Sequence, residues 1–305
     1  MEGAAAEAAE KEAGRRTKSR TELSRYPNFE QVSPEVGELD EAALDRAMRE
    51  NPDDTLSMVA DLTAATDPKL REAAKHIAAR LMLDLAGTTK RRRKGIGRIV
   101  TQPFRGDGDI DIDTSIEAFE GSGARRRVKV EELRARSWSK RDTALCLVVD
   151  RSGSMGGKPL ATSALAAAAV SLREPDDYSV LAFGREVIVA KSQDMQRPGV
   201  EVVNSLLSLR GFGTTDLAGA LRAAVEQLSR SRATRKVVVL LSDCRATETG
   251  DVEAAARAVD ELCIVAPEGD DAEARTLAAS VGARIATVAE PTDVPVALCE
   301  VLDRN

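Results

Sequence analysis

We expect an α/β protein in which residues 143–305 form a doubly wound, mostly parallel sheet with one antiparallel edge strand, preceded by a small α-helical N-terminal region. Two observations predict this class. Short apolar runs alternate with amphipathic segments throughout the C-terminal half, which is the pattern of successive strand and helix units. Aromatic residues make up only 3% of the chain, so Ala, Val and Leu must fill the core, as they do where helices pack closely on a sheet.

The N-terminal half divides into a tail and a helical bundle. Residues 1–35 are rich in Ala, Glu, Lys and Arg, which predicts a disordered tail. Residues 36–87 carry apolar side chains at three- and four-residue spacing, interrupted before Pro52 and Pro68. This pattern predicts a small bundle with helices over 39–48, 55–64 and 70–86. The only histidine, His76, lies in the third helix, and we expect it at the surface and not in a catalytic site.

Residues 88–142 form a predicted basic connector. Its first 54 residues, 88–141, hold fifteen Lys and Arg against eight Asp and Glu, whereas the whole chain has a net charge of −6. An acidic protein surface, nucleic acid or a merely solvated linker would each fit this charge, and the scarcity of aromatic residues disfavours nucleic acid. The candidate residues for binding a partner or an anion are Arg91, Arg92, Arg93, Arg125, Arg126 and Arg127.

An acidic run, residues 107–113, lies inside the connector. Asp alternates there with Gly or Ile, which predicts a strand with its carboxylates on an exposed face and its isoleucines on the other. A calcium loop counted from Asp109 is the alternative, with acids at positions 1, 3, 5 and 12. Thr114 occupies position 6, where the sharp turn of such a loop needs Gly, so the strand is favoured.

The C-terminal half contains the sheet elements. Strands are predicted over 143–149, 178–183, 186–191, 236–242, 262–266 and 284–288, with 178–183 and 186–191 joined by a tight turn as the antiparallel edge. Helices are predicted over 159–172, 200–208, 217–230, 252–258, 271–281 and 294–302. Ligands of such sheets bind outside the carboxyl ends of the strands.

Three segments at these strand ends carry oxygen ligands. The first strand leads into Asp150, Ser152 and Ser154, a Gly-rich loop presents Thr215 before a helix, and the strand over 236–242 runs into Asp243. Carboxylates and hydroxyls suit a hard cation, so the sequence predicts a site for Mg²⁺ or Mn²⁺ and not for zinc.

These motifs resemble the metal-ion-dependent adhesion site (MIDAS) of the von Willebrand factor A (VWA) domain, a Rossmann-like fold, over residues 143–305. The resemblance implies that the hydroxyls contact the ion, that the carboxylates act mainly through water, and that a partner's Asp or Glu completes the coordination. Thr214 and Thr215 are both candidates for the Thr position, and we prefer Thr215 because it directly precedes the helix. Cys244 stands where many members of the family have Gly.

Two enzyme classes do not fit the sequence. The stretch after Ser154 lacks the leading Gly and the final Ser or Thr of a phosphate-binding loop, and no Gly-x-Ser-x-Gly motif of a serine hydrolase occurs. We therefore expect no enzymatic activity.

The start of the chain lacks the pattern of a secretion signal, which predicts a cytoplasmic protein. The four cysteines lack metal-site spacing, and we expect them to be reduced.

The whole chain looks like the bacterial VWA proteins that work beside MoxR-type AAA+ ATPases, and its C-terminal part is similar to the VWA domain of the magnesium chelatase D subunit. The resemblance implies an intracellular, Mg²⁺-dependent adaptor that captures a carboxylate of a protein partner, an AAA+ ATPase, in protein remodelling or metal-cofactor insertion. An RNA-binding VWA protein that uses the basic connector and a subunit resembling that of magnesium chelatase are the alternatives.

Overall fold

The computed structural model describes residues 17–92, 98–103, 109–112, 115, 133–139, 143–151, 157–209 and 214–303. The chain forms two compact units. One combines Met1–Arg93 with Ala144–Asn305, and the other is Lys94–Thr143.

Six strands form the sheet of the larger unit. They are β4 Thr143–Asp150, β5 Tyr178–Phe183, β6 Val187–Lys191, β7 Arg235–Leu241, β8 Leu262–Pro267 and β9 Arg284–Val288. Their order in the sheet is β6-β5-β4-β7-β8-β9. β4 pairs in parallel with β5, and β7, β8 and β9 pair in parallel with one another, whereas β6 is antiparallel to β5 at the edge.

Helices follow these strands in the order that the sequence predicts, and the predicted fold class is confirmed. They are α6 Lys158–Arg173, α7 Gly199–Ser208, α8 Leu217–Ser229, α9 Val252–Arg257, α10 Ala272–Val281 and α11 Val294–Leu302, with a short 3-10 helix Pro291–Asp293 before the last.

Two hydrophobic cores lie on the two faces of the sheet. Along β4, Leu145, Leu147 and Val149 belong to one core and the residues between them to the other, as the two-residue period of a strand requires. Helices α8, α9 and α10 bury their apolar residues in the second core. Helices α6, α7 and α11 contribute to the first.

The N-terminal helices share the first core with the sheet. They are α1 Arg20–Leu23, α2 Phe29–Val32, α3 Glu41–Glu50, α4 Pro52–Leu62 and α5 Pro68–Arg92. The three longest correspond to the three helices predicted from the sequence. Their buried side chains, among them Leu56 and Met82, form one cluster with those of α6 and α7. The helical region thus packs on the α/β region within one unit.

The disorder predicted for residues 1–35 does not hold for the part that the structure describes. Leu23, Phe29 and Val32 are buried in the shared core. The few apolar residues of this segment show no helical periodicity, so the sequence alone does not indicate that Leu23, Phe29 and Val32 are buried. Residues 1–16 lie outside the described part of the chain.

In the smaller unit, strands β1 Arg98–Pro103, β2 Asp109–Ile110 and β3 Arg134–Ser139 form an antiparallel sheet in the order β1-β3-β2. The predicted acidic strand is therefore only two residues long. Asp111 is buried and Ile112 is 67% exposed, the reverse of the predicted faces. The reversal follows from the end of the strand at Ile110, because the alternation of faces holds only within a strand.

Candidate metal centre

The structure brings three of the five predicted metal ligands to one end of the sheet. Asp150 ends β4, and Asp243 follows β7, which is the neighbouring strand. Thr215 directly precedes Asp216, the N-cap residue of α8. Ser152 and Ser154 lie outside the described residues.

A hydroxyl that the sequence reasoning missed orients Asp150. Ser242 Oγ donates a hydrogen bond to Asp150 Oδ2 at 2.7 Å and accepts one from the Cys244 backbone N–H at 2.9 Å. Ser242 is buried. The sequence contains one signal for this contact: Ser242 lies beside Asp243 at the end of an apolar strand. A hydroxyl at that position can reach the end of the neighbouring strand.

The electrostatics of Asp243 favour a positive charge at this point. Burial raises the pKa of Asp243, and the negative charges of Asp150 and Asp270 raise it further, although the Arg245 backbone N–H, which donates to Asp243 Oδ1 at 2.9 Å, acts in the opposite direction. Two carboxylates thus approach each other in a partly buried site. A divalent cation would offset their repulsion.

Thr215 is held by the loop that follows β7. Its backbone N–H donates to Thr247 Oγ1 at 2.7 Å, and its carbonyl oxygen accepts from the N–H groups of Thr247 and Glu248, each at 3.2 Å. Thr215 is buried, whereas Thr214 is exposed. The loop before α8, which carries Thr215, is therefore hydrogen-bonded to the loop after β7, which carries Asp243.

Cys244 has a backbone conformation that usually favours glycine. Its φ of 64° lies in the left-handed region, and it is the non-glycine residue with positive φ in the described part of the chain. The loop keeps its glycine-like shape despite the side chain, which is buried in the core.

A cleft of about 360 Å³ opens beside the two carboxylates. Its apolar lining comes mainly from strand ends, and charged side chains complete it. The lining includes Asp150, Ser242, Asp243, Leu241, Val265, Val288, Lys158 and Glu290. The cleft leaves space for a side chain of another molecule next to the candidate metal position.

The donor set fits a hard ion held by hydroxyls and few carboxylates. Within the described residues, no group of three or more His, Cys, Asp and Glu side chains could hold a metal ion by itself. Asp150, Asp243 and Thr215 supply only oxygen, as the sequence predicts. Within the described residues, the four cysteines form no disulfide, and His76 is exposed.

The basic candidates lie outside the described residues. This applies to the side chains of Arg91 and Arg92, which end α5, and to Arg93, Arg125, Arg126 and Arg127. Their binding role stays a prediction.

Among the helices that the structure describes, none combines the length and apolar character needed to cross a membrane.

Several proteins are similar to this chain. Protein sll0103 of Synechocystis sp. is 30% identical over 109 residues, which are 35% of this chain and 26% of that protein, so the chain spans about a quarter of its length. A von Willebrand factor type A protein from Catenulispora acidiphila superimposes with a TM-score of 0.41 at 15% identity, over 55% of this chain and 43% of that one. Manganese-loaded TRAP protein from Plasmodium vivax gives a TM-score of 0.43 at 16% identity, over 54% and 75%.

A family model described as VWA domain containing CoxE-like protein matches residues 64–290. The match begins in the N-terminal helical region and covers more than half of the chain. The sheet order, with its antiparallel edge strand, agrees with it. The chain belongs to the CoxE-like family of proteins that contain a VWA domain.

Proposed function

We propose that this chain is a cytoplasmic adaptor that binds Mg²⁺ or Mn²⁺ and, through the ion, a carboxylate of a protein partner. The observation that carries the proposal is the approach of Asp150 and Asp243 at the ends of neighbouring strands, next to an open cleft. When bound, the ion would supply an open coordination position for an Asp or Glu of the partner.

The chain's own residues have distinct roles in this proposal. Ser152, Ser154 and Thr215 would hold the ion, and Asp150 and Asp243 would balance its charge. Asp150 is oriented for this role by Ser242. The cleft would receive the rest of the partner's side chain.

We propose binding and not catalysis. Membership in the CoxE-like family supports a MoxR-type AAA+ ATPase as the partner, because the VWA proteins that this chain resembles work beside such ATPases. The ATPase would provide the motor, and this chain would link it to a client.

The test is capture on the immobilised full chain. Lysate of the source organism is passed over it in Mg²⁺ and again in EDTA, with Asp150→Ala as the control, and the retained molecules are identified by mass spectrometry. An AAA+ ATPase retained only by the wild type in Mg²⁺ is the expected result. Retention of RNA, or of the same proteins in both buffers, would contradict the proposal and turn attention to the basic connector.

A further inference from the structure

A buried carboxylate links the N-terminal helices to the start of α6. Asp61, in α4, has a side chain that is only 1% exposed. Four donors surround it: Lys18 Nζ at 2.5 Å, Arg25 Nη2 at 2.7 Å, Tyr26 Oη at 2.7 Å and the Gly157 backbone N–H at 2.5 Å. The carboxylate therefore joins segment 18–26 to Gly157, which lies 96 positions after Asp61 in the sequence.

Gly157 is held at both of its backbone polar groups. Its N–H donates to Asp61 Oδ1, and its carbonyl oxygen accepts from the Ala161 N–H at 3.0 Å in the first turn of α6. Its φ of 56° and ψ of −120° suit glycine. A Cβ at this position would lie 2.8 Å from Tyr26 Oη, so the close approach of the N-terminal segment also requires glycine.

Gly157 ends the loop that carries two of the predicted metal ligands. Asp150 ends β4, and Ser152 and Ser154 stand between Asp150 and Gly157 in the sequence. Residues that hold the ligands of a metal in position strengthen metal binding, because the ligands need not be ordered when the ion binds.

The other partners of Asp61 keep it in place. Lys18 and Arg25 balance its charge, which a buried carboxylate needs. Burial and the charge of Asp61 raise the pKa of Tyr26, so its hydroxyl stays protonated and continues to donate. The cluster leaves Asp61 little freedom to release Gly157.

We propose that Asp61 is a positioning residue of the metal centre and that, through it, segment 18–26 sets the metal affinity of the α/β domain. This inference rests on the proposed function. The N-terminal segment is on this view a part of the metal centre, although it supplies no ligand.

The test compares two variants of the same helix. Asp61→Asn keeps the shape of the side chain but removes its charge and one acceptor oxygen. Asp53→Asn is the matched control, because Asp53 also joins α4 to the α/β region. Its carboxylate accepts hydrogen bonds from Thr292 N at 2.9 Å and from Thr292 Oγ1 at 3.0 Å. The segment around Thr292 carries no predicted metal ligand. The affinity of the full chain for Mn²⁺ is measured by electron paramagnetic resonance, and circular dichroism verifies the fold of each variant.

We expect Asp61→Asn to weaken Mn²⁺ binding by about tenfold or more, the usual effect of losing a residue that orients a metal ligand. Asp53→Asn should change the affinity by less than about twofold. Equal affinities in the two variants would overturn the inference. If Asp61→Asn does not fold, Tyr26→Phe replaces it, because this variant keeps the carboxylate and its other donors. A loss of about threefold is then expected, since one of four contacts is removed, and an unchanged affinity would overturn the inference.

The same titrations separate this inference from the proposed function. If the wild type binds no Mn²⁺, or if Asp150→Ala binds it as tightly, both ideas are wrong. If binding is lost in Asp150→Ala but is unchanged in Asp61→Asn, only the positioning role fails.

Discussion

Replacing Gly157 with Ala should destabilise the protein far more than replacing Gly282 with Ala. Both glycines have positive φ, with φ and ψ of 56° and −120° at Gly157 and of 69° and 28° at Gly282. Gly282 is in the left-handed helical region with no atom within 4 Å of an added Cβ, so Ala should cost about 1 kcal/mol there.

At Gly157 two further costs arise. Its ψ of −120° lies outside the left-handed helical region. A residue with a Cβ in such a sparsely populated conformation carries strain of about 1–3 kcal/mol. The new Cβ would also lie 2.8 Å from Tyr26 Oη, which donates to Asp61, and moving the phenol would break a bond to a buried charged group worth about 1.5–3 kcal/mol. We expect a total loss of roughly 2.5–6 kcal/mol in the free energy of unfolding.

Urea unfolding followed by circular dichroism measures both losses. The double variant Tyr26→Phe/Gly157→Ala adds a control, because it lacks the oxygen that the new Cβ meets. Gly157→Ala should therefore cost less in the Tyr26→Phe background than in the wild type. Equal losses at Gly157 and Gly282, or no coupling between Gly157 and Tyr26, would refute the account of this contact.

Three further sets of variants have definite expected outcomes. Thr247→Ala removes the acceptor of the Thr215 N–H and should cost about 1 kcal/mol and weaken Mn²⁺ binding, whereas Thr247→Ser should preserve both; calorimetry on the two variants decides. Burial lowers the pKa of Lys191 from 10.5 to about 8. Between these two pH values the unfolded state binds more protons than the folded state, so the free energy of unfolding rises with pH. The stability of the wild type relative to Lys191→Met should therefore rise from about pH 8 to about pH 10. A stability difference that stays constant over this range would contradict the lowered pKa of Lys191. Ser152→Ala and Asp243→Ala should weaken metal-dependent partner binding in a pull-down while leaving the circular dichroism spectrum unchanged, and unfolding would mean that these residues are structural.

The sheet was predictable because its signals are local. Each buried strand is a continuous apolar run, and each neighbouring helix has its own period, so the elements of residues 143–305 follow from short windows of sequence. The turn at Gly184 between β5 and β6 identified the antiparallel edge, which the structure confirms. These features need no knowledge of distant contacts.

Long-range contacts set the limit of such prediction. Nothing in the neighbourhood of Asp61 indicates that its carboxylate binds Gly157, because the two residues meet only when α4 packs beside the start of α6. The same holds for Leu23 and Phe29, which look like isolated apolar residues in a polar tail and are nevertheless buried. Their role depends on the surface that the rest of the chain presents.

The candidate metal centre is an intermediate case. The positions of Asp150, Thr215 and Asp243 were predictable because each ends or follows a strand, or precedes a helix, at the end of the sheet where ligands bind. The support given by Ser242 and Thr247 was not, because it depends on how the loops approach one another. The sequence thus indicates the candidate ligands, and the structure adds the residues that orient Asp150 and Thr215.

The most direct test of the metal centre is a crystal structure of the full chain with Mn²⁺, with the ion located by its anomalous scattering. We expect one Mn²⁺ within about 2.2 Å of the hydroxyl oxygens of Ser152, Ser154 and Thr215, with the Asp150 and Asp243 carboxylates near it. An ion bound elsewhere, or no ion at this end of the sheet at millimolar Mn²⁺, would contradict the account.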